Sequence, residues 1–270
     1  MRRRPSPSAV RWLILAALLL FWELMPKTGL IPELFLPPLS KTVAVLVADW
    51  REYASELSVT LYEVAFAMLI ACGVGILVGA LVGGVALLRD LLLPVFSSLY
   101  AVPIVILYPI FTAWFGIGSQ SKILFAGVYG FFPVMLSTAA GIRTIDAQLL
   151  LAARSMGATL PQQITRVIIP ASIPTVLTGL RLGGALTIIG VVVSEMLTSS
   201  AGIGYLVTRY RTILDSAHVF GAIVMILLLS IMFDMLARAI ERRTRVWQTA
   251  GRRQQDKAEE ITVKPAEAVV

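Results

Sequence analysis

Three stretches of this chain contain no Asp, Glu, Lys or Arg at all: Val64 to Leu88, Leu91 to Ser121 and Ile123 to Ile142. About 20 apolar residues in a helix cross the hydrocarbon core of a bilayer. Inside lipid only a helix or a closed barrel satisfies every backbone N–H and C=O. Buried helices of soluble domains are rarely so long and so free of charge. The composition agrees: 57% of the 270 residues are hydrophobic and 14% charged, against roughly a quarter charged in a soluble domain. The expected fold class is all-α, a polytopic membrane helical bundle.

Six spans are expected, at about 10–25, 59–88, 91–115, 123–142, 174–197 and 216–236, in a single transmembrane domain covering residues 1–250. Residues 251–270 are charged, lack apolar periodicity and are expected to be a disordered tail. The N-terminus has the Arg-rich start and apolar run of a signal peptide. No small-x-small cleavage site follows, because the run ends in Glu23-Leu24-Met25-Pro26, so a retained first span is expected. Arg11 and Glu23 near its ends then snorkel to the interfaces.

Orientation follows from basic residues near the spans. With the N-terminus in the cytoplasm, only Lys27, Lys41, Arg51, Lys122, Arg209 and Arg211 of the 23 basic residues fall outside. Both termini are therefore expected in the cytoplasm of a bacterium, and the chain in its inner membrane in contact with lipid. The same distribution argues against nucleic acid as the reason for the net charge of +7. A single cysteine, Cys72, excludes an intrachain disulfide. A single histidine, His218, leaves no His/Cys cluster of metal-ligand spacing.

Outside the spans, Leu36-Pro37-Pro38-Leu39-Ser40 reads as a turn, with Ser40 able to cap a helix carrying Val43, Leu46, Val47 and Trp50 on one face. That helix lies on the outer membrane surface or is a solvated connector. Within the spans, Pro94, Pro103 and Pro109 break backbone bonding in span three. Tyr100, Pro103 and Tyr108 there line a transport path, or the prolines are packing kinks. Glu63 and Glu195 face protein, water or solute, or snorkel to a nearby interface. Asp234 pairs with Arg238 one turn on. Gly75, Gly79 and Gly83, and Gly179-x-x-x-Gly183, allow close helix packing within the chain or across a dimer.

The internal segment 143–173 has a design of its own. Ile145 to Met156 is free of helix breakers. Gly157-Ala158 ends that helix through a glycine cap. Thr159 and Gln162 form a capping box around Pro161 in the first turn of a second helix. Ile164, Val167 and Ile168 form the apolar face of this helix, against Gln163, Thr165 and Arg166, and Pro170 ends it. Two short helices joined at a glycine bend make a knob suited to a groove on another protein.

Ala152-Ala153-x-x-x-Gly157, followed after nine residues by Val167-x-Ile169-Pro170, resembles the EAA loop of binding-protein-dependent ABC importer permeases. The likeness extends through Leu36-Pro37-Pro38, Trp114-Phe115-Gly116-Ile117-Gly118, Ala153-Arg154-Ser155-Met156-Gly157-Ala158, Thr178-Gly179-Leu180-Arg181 and Glu195-Met196-Leu197, covering about residues 20–245. It is similar in particular to the nitrate, sulfonate and taurine group, which also includes permeases for pyrimidine vitamin precursors. The resemblance implies a type I importer permease fold, a homodimer with the path at its interface, and an extracytoplasmic binding protein that delivers a small solute. It implies too that ABC ATPase subunits dock at Ala152, Ala153, Gly157, Ala158, Thr159, Pro161, Gln162, Ile164, Arg166, Val167 and Pro170. Two positions depart from the family pattern. Leu151 stands where the motif has glutamate, and Glu63 stands where many relatives carry a basic residue, which argues against inferring an anionic solute.

No G-x-x-x-x-G-K-[ST] sequence occurs, so ATP and Mg are expected on a partner subunit, with no cofactor bound by this chain. The competing expectation is a secondary, ion-coupled transporter using Glu63 or Glu195. A membrane-embedded enzyme is the third class, and it lacks H-E-x-x-H, G-x-S-x-G and more than one histidine.

Overall fold

The computed structural model describes residues 7–263, with side chains described for 9–243. The basic residues 2–4 and the last stretch of the tail, 264–270, lie outside the described residues. Among the described residues, eleven α-helices follow in chain order: α1 Pro7–Lys27, α2 Leu39–Ala48, α3 Trp50–Gly84, α4 Ala86–Tyr100, α5 Tyr108–Phe115, α6 Ser119–Arg143, α7 Ala147–Ser155, α8 Leu160–Gln163, α9 Ile169–Leu197, α10 Ile203–Thr212 and α11 Ser216–Val263. A 3-10 turn, Ile104–Leu107, precedes α5, and a π-helical turn, Ile164–Ile168, joins α8 to α9. Among the described residues, five helices are long and apolar enough to cross a membrane, and Ala86–Tyr100 with Ile104–Phe115 forms a sixth, broken candidate.

The helices differ from the sequence expectation where proline decides. Span three is two helices, because residues 101–103 leave the helix at Ala101-Val102-Pro103. Proline supplies no N–H, and the residue before it is pushed out of the α region. The opposite correction applies at Pro170, which does not end the second helix of the knob. The π turn carries the chain directly into α9, where Pro170 sits in the first turn and its missing donor costs little. α11 runs to Val263, so residues 251–263, expected to lack structure, are helical; Arg, Gln, Lys, Ala and Glu are strong helix formers. The helix α10 was not anticipated at all.

The described chain divides into two compact units. Unit 1 comprises Met1–Ala67, Val105–Ala126 and Ile188–Ser230; unit 2 comprises Met68–Ile104, Gly127–Thr187 and Ile231–Val270.

Unit 2 is held by glycine stripes. A Cβ added at Gly79 would sit 2.7 Å from Thr138 Cβ, one at Gly83 2.8 Å from Ala139 Cα, and one at Gly75 2.8 Å from Val134 Cγ1. α3 and α6 therefore approach at backbone distance. Gly183 brings α9 equally close to α6, where a Cβ would lie 2.7 Å from Gly130 O. The packing is within the chain. Asp234 of α11 binds Arg238 as expected, at 2.6 Å, and also Arg181 of α9, again at 2.6 Å.

Unit 1 has its own apolar centre, in which Tyr53, Ile203, Leu206, Val207, Tyr210 and Ala222 are buried together. α10 supplies four of these six, so a helix of only ten residues holds its place by burying one face. Ser40 does not cap α2. It lies within the first turn, and its N–H and Oγ donate to the Glu23 carboxylate at 2.9 and 2.8 Å, which places negative charge at a helix N-terminus. Glu23 also pairs with Lys27. α1 exposes Trp12, Leu13 and Leu20, the surface of a helix that meets lipid rather than water.

Candidate functional site

Two regions carry the groups a transport protein needs, one in each unit.

In unit 2 the knob is built as its sequence dictates. Asp146 caps α7, its Oδ1 accepting from Gln148 N–H at 2.8 Å. Gly157 takes φ +75° with open space around its Cα, and Ala158 N–H reaches back to Ala153 O at 3.0 Å. This left-handed cap turns the chain, and only glycine adopts it without steric cost. Thr159 N–H then donates to Gln162 Oε1 at 2.9 Å, closing the capping box. Gln163 Nε2 donates to Ala158 O at 2.9 Å and ties the start of the second helix to the bend. The bend is thus fixed by five local bonds and cap geometries, while its apolar side chains are left uncovered. Met156 is 81% exposed, Leu160 69% and Leu151 60%. Of the residues assigned to this loop, only Ala153 is buried; Ala158 and Val167 are half-buried, and Ala152, Gly157, Thr159, Pro161, Gln162, Ile164, Arg166 and Pro170 are exposed. Leu151, in place of the motif glutamate, presents an apolar surface and no charge.

In unit 1 the two carboxylates expected near a membrane interface do not snorkel. Glu63 and Glu195 are 0% and 1% exposed. Glu63 Oε1 lies 2.5 Å from Lys122 Nζ and accepts from Ser119 Oγ at 2.7 Å; Glu63 Oε2 is buried without a hydrogen-bond partner. Lys122, itself 2% exposed, also donates to Ser199 Oγ at 3.0 Å. Glu195 Oε1 accepts from Thr60 Oγ1 at 2.8 Å and its Oε2 from Gly204 N–H at 2.8 Å. Thr60 Oγ1 in turn accepts from Ile203 N–H at 2.9 Å, and Glu56 Oε2 from Gly202 N–H at 2.5 Å. Three consecutive N–H groups at the start of α10, orphaned in any helix N-terminus, thereby find two carboxylates and a hydroxyl. Gly202 makes this possible. Its φ of +106° suits glycine alone, and a Cβ there would strike the Glu195 carboxylate.

The other end of α10 carries a second polar cluster. Tyr210 Oη donates to Glu52 Oε2 at 2.5 Å, and Arg209 Nη1 to Glu52 Oε1 at 2.6 Å. Burial, then the bond to Glu52, pushes the Tyr210 phenol up to about 12. His218 stacks on Tyr210 at 4.3 Å between ring centroids, its ring nitrogens 2.7 Å from Asp215 Oδ2 and 3.1 Å from Asp49 Oδ2. Burial works to raise the Asp215 carboxyl, but the ring and backbone bonds from His218 outweigh it and hold the group below its ordinary 3.8. Between these clusters lies a pocket of about 500 Å³, walled by residues 195–200 and by Tyr205, Thr208, Arg209 and Thr212 of α10.

The five residues considered for a path fall in both units. Glu63, Glu195 and Tyr108 belong to unit 1; Tyr108 is buried, its hydroxyl donating to Thr198 O at 3.4 Å. Tyr100 and Pro103 belong to unit 2, both exposed, with Tyr100 stacked on Phe132. Sequence reasoning missed Thr60, Lys122, Glu56 and α10. Lys122 did give a signal: it is the only charge separating two uncharged runs of 31 and 20 residues. A lone cation in that setting needs a buried anion.

Comparison with known proteins adds the following. The sequence profile of the family described as "Binding-protein-dependent transport system inner membrane component" matches residues 72–246. The chain is 30% identical to the putative aliphatic sulfonates transport permease protein SsuC of Bacillus subtilis, over 92% of each chain. It is 30% identical to the taurine transport system permease protein TauC of Escherichia coli, over 86% of this chain and 87% of that one. It is 28% identical to the formylaminopyrimidine transport permease protein ThiX of Halalkalibacterium halodurans, over 86% and 92%. Among solved structures, an inward-facing conformation of the MetNI methionine ABC transporter contains a chain that matches with a TM-score of 0.58 at 20% identity, over 72% of this chain and 94% of that one. This last likeness is one of fold.

Proposed function

Because the chain belongs to the family of binding-protein-dependent transport system inner membrane components, we propose that it forms the solute path of an ATP-driven importer whose hydrolysis is carried out by separate ABC ATPase subunits docked on its 143–173 knob. The observation that carries this reading is the contrast within the knob. Its backbone is capped at both helix junctions, yet Met156, Leu160 and Leu151 are left without cover. A rigid bend displaying apolar side chains is shaped to enter a groove, and movement of whatever fills that groove passes through the π turn into α9 without an intervening hinge.

The chain then needs no nucleotide, Mg or other cofactor of its own. Two copies related as a homodimer enclose the path, and an extracytoplasmic binding protein delivers the solute. The solute belongs with those named for the relatives, an aliphatic sulfonate, taurine or formylaminopyrimidine, or with the nitrate that the family resemblance also allows. The knob, and both termini with it, faces the cytoplasm, as the excess of basic residues on that side requires. Of the path residues, Tyr100 and Pro103 remain open to an occupant, while Glu63 and Glu195 are committed to internal partners. That commitment also speaks against the ion-coupled alternative, which requires a carboxylate free to change partner.

The test is co-purification. The chain with residues 159–169 deleted, and a milder Leu160→Asp/Ile164→Asp form, are each expressed with the ATPase and binding protein and extracted in mild detergent. The expected result is loss of the ATPase from both. Retention of the ATPase by both, or labelling of the knob by an impermeant reagent from the outside of intact cells, would refute the proposal.

A further inference from the structure

We infer that Lys122 is a positioning residue for the unit 1 pocket, holding the pocket wall in place from beneath without lining the pocket itself. The wall is the segment between α9 and α10. It has no regular backbone pairing of its own, so side chains must hold it. Tyr108 Oη donates to Thr198 O, Glu56 accepts from Gly202 N–H, and Thr60 and Glu195 accept from Ile203 and Gly204 N–H. Ser199 is the centre of the segment. Its Oγ donates to Ala201 O at 2.6 Å and receives Ala201 N–H at 3.2 Å, forming a tight local turn. The only anchor from outside that turn to Ser199 among the described residues is Lys122 Nζ, at 3.0 Å.

Lys122 is itself fixed by Glu63 at 2.5 Å, and Glu63 by Ser119 at 2.7 Å. Neither Lys122 nor Glu63 lines the pocket, whereas residues 195–200 do. An ammonium desolvated this deeply is held to one geometry by its carboxylate, and it lends that geometry to the hydroxyl it also binds. The pocket's shape therefore depends on a charge pair behind it. That this pocket serves the solute rests on the permease reading above; that Lys122 sets its wall does not.

Amide hydrogen exchange on the purified chain tests the inference. Lys122→Met alone would strand Glu63 in a dry interior, so the neutral pair Lys122→Met/Glu63→Gln is used beside Ser199→Ala, which leaves the ion pair intact. Exchange at residues 199–204 is expected to rise about tenfold or more in each, through local opening. Residues 134–139, in the glycine-packed region of unit 2, should be unchanged. If Lys122 acts through Ser199, combining the changes adds nothing to either, and Ser199→Thr restores protection. Unchanged exchange at 199–204, additive effects, or a rise spread equally over both segments would overturn it. Failure of the permease reading shows separately, as ATPase that does not co-purify with the unaltered chain.

Discussion

Thr60→Val isolates the polar anchorage of α10. The substitution keeps the side-chain volume and shape, so it opens no cavity, and it removes a single oxygen. That oxygen accepts Ile203 N–H at 2.9 Å and donates to Glu195 Oε1 at 2.8 Å, in a site where Thr60 is 0% exposed. A buried amide left without an acceptor costs about 1–3 kcal/mol, and an ordinary buried hydrogen bond contributes about 0.5–1.5 kcal/mol. Glu195 retains Gly204 N–H through its other oxygen, so the sum is not lost in full. A destabilisation of about 2 kcal/mol is expected. The assay is unfolding of the purified chain in mixed micelles of rising denaturing-detergent content, followed by helical circular dichroism. Thr60→Ser, which keeps the hydroxyl, should lie within about 1 kcal/mol of the unaltered chain. A Thr60→Val chain that unfolds within about 0.5 kcal/mol of the original would refute the reasoning, because no buried donor and carboxylate could then have depended on that oxygen.

Gly79→Ala should destabilise by about 1–3 kcal/mol through overpacking against α6, whereas Gly73→Ala on the same helix meets open space and should be neutral or stabilising by up to about 1 kcal/mol; the same micelle unfolding assay separates them. Gly157→Ala meets no neighbour but must hold φ +75°, a strain of about 1–2 kcal/mol. It should weaken ATPase retention in a pull-down and lower the melting temperature of the isolated chain by only a few degrees, about 2–4 °C per kcal/mol of strain. Asp215 gives a pH signature. Its folded pKa lies below the ordinary 3.8, so its contribution is complete above that value and disappears as pH falls through the lower, folded one. The melting-temperature advantage of the unaltered chain over Asp215→Asn should therefore shrink as pH falls below 4; an advantage that persists undiminished well below that pH would contradict the His218 contacts.

Much of this molecule could be read along the chain. The uncharged runs marked out the long apolar helices, because spanning a bilayer is a matter of local length and composition, but not their ends: α3 begins at Trp50 rather than 59 and α11 runs on to Val263 rather than 236. The bend at Gly157 and the Thr159–Gln162 capping box were legible for a similar reason: caps are contracts between residues three or four apart. The proline errors came from the same local reasoning pushed too far, since a π turn lets the chain pass Pro170 and a corner at Pro103 divides one apolar run into two helices.

The buried charges are different. Sequence could say that Glu63 and Glu195 face protein, water or solute, or snorkel, but not which, for the bonds that answer the question join residues as far apart as Thr60 and Glu195, 135 positions, or Glu56 and Gly202, 146 positions. It offered snorkelling as an alternative because a charge near a helix end can usually reach water. Only packing showed that water is out of reach there. α10 was invisible for the same reason: its ten residues have too few turns to be stable alone, and it exists because Ile203, Leu206, Val207 and Tyr210 are buried and its first N–H groups are claimed by groups from other helices. What is local in free energy was written in the sequence; what is paid for by distant partners was decided by the fold.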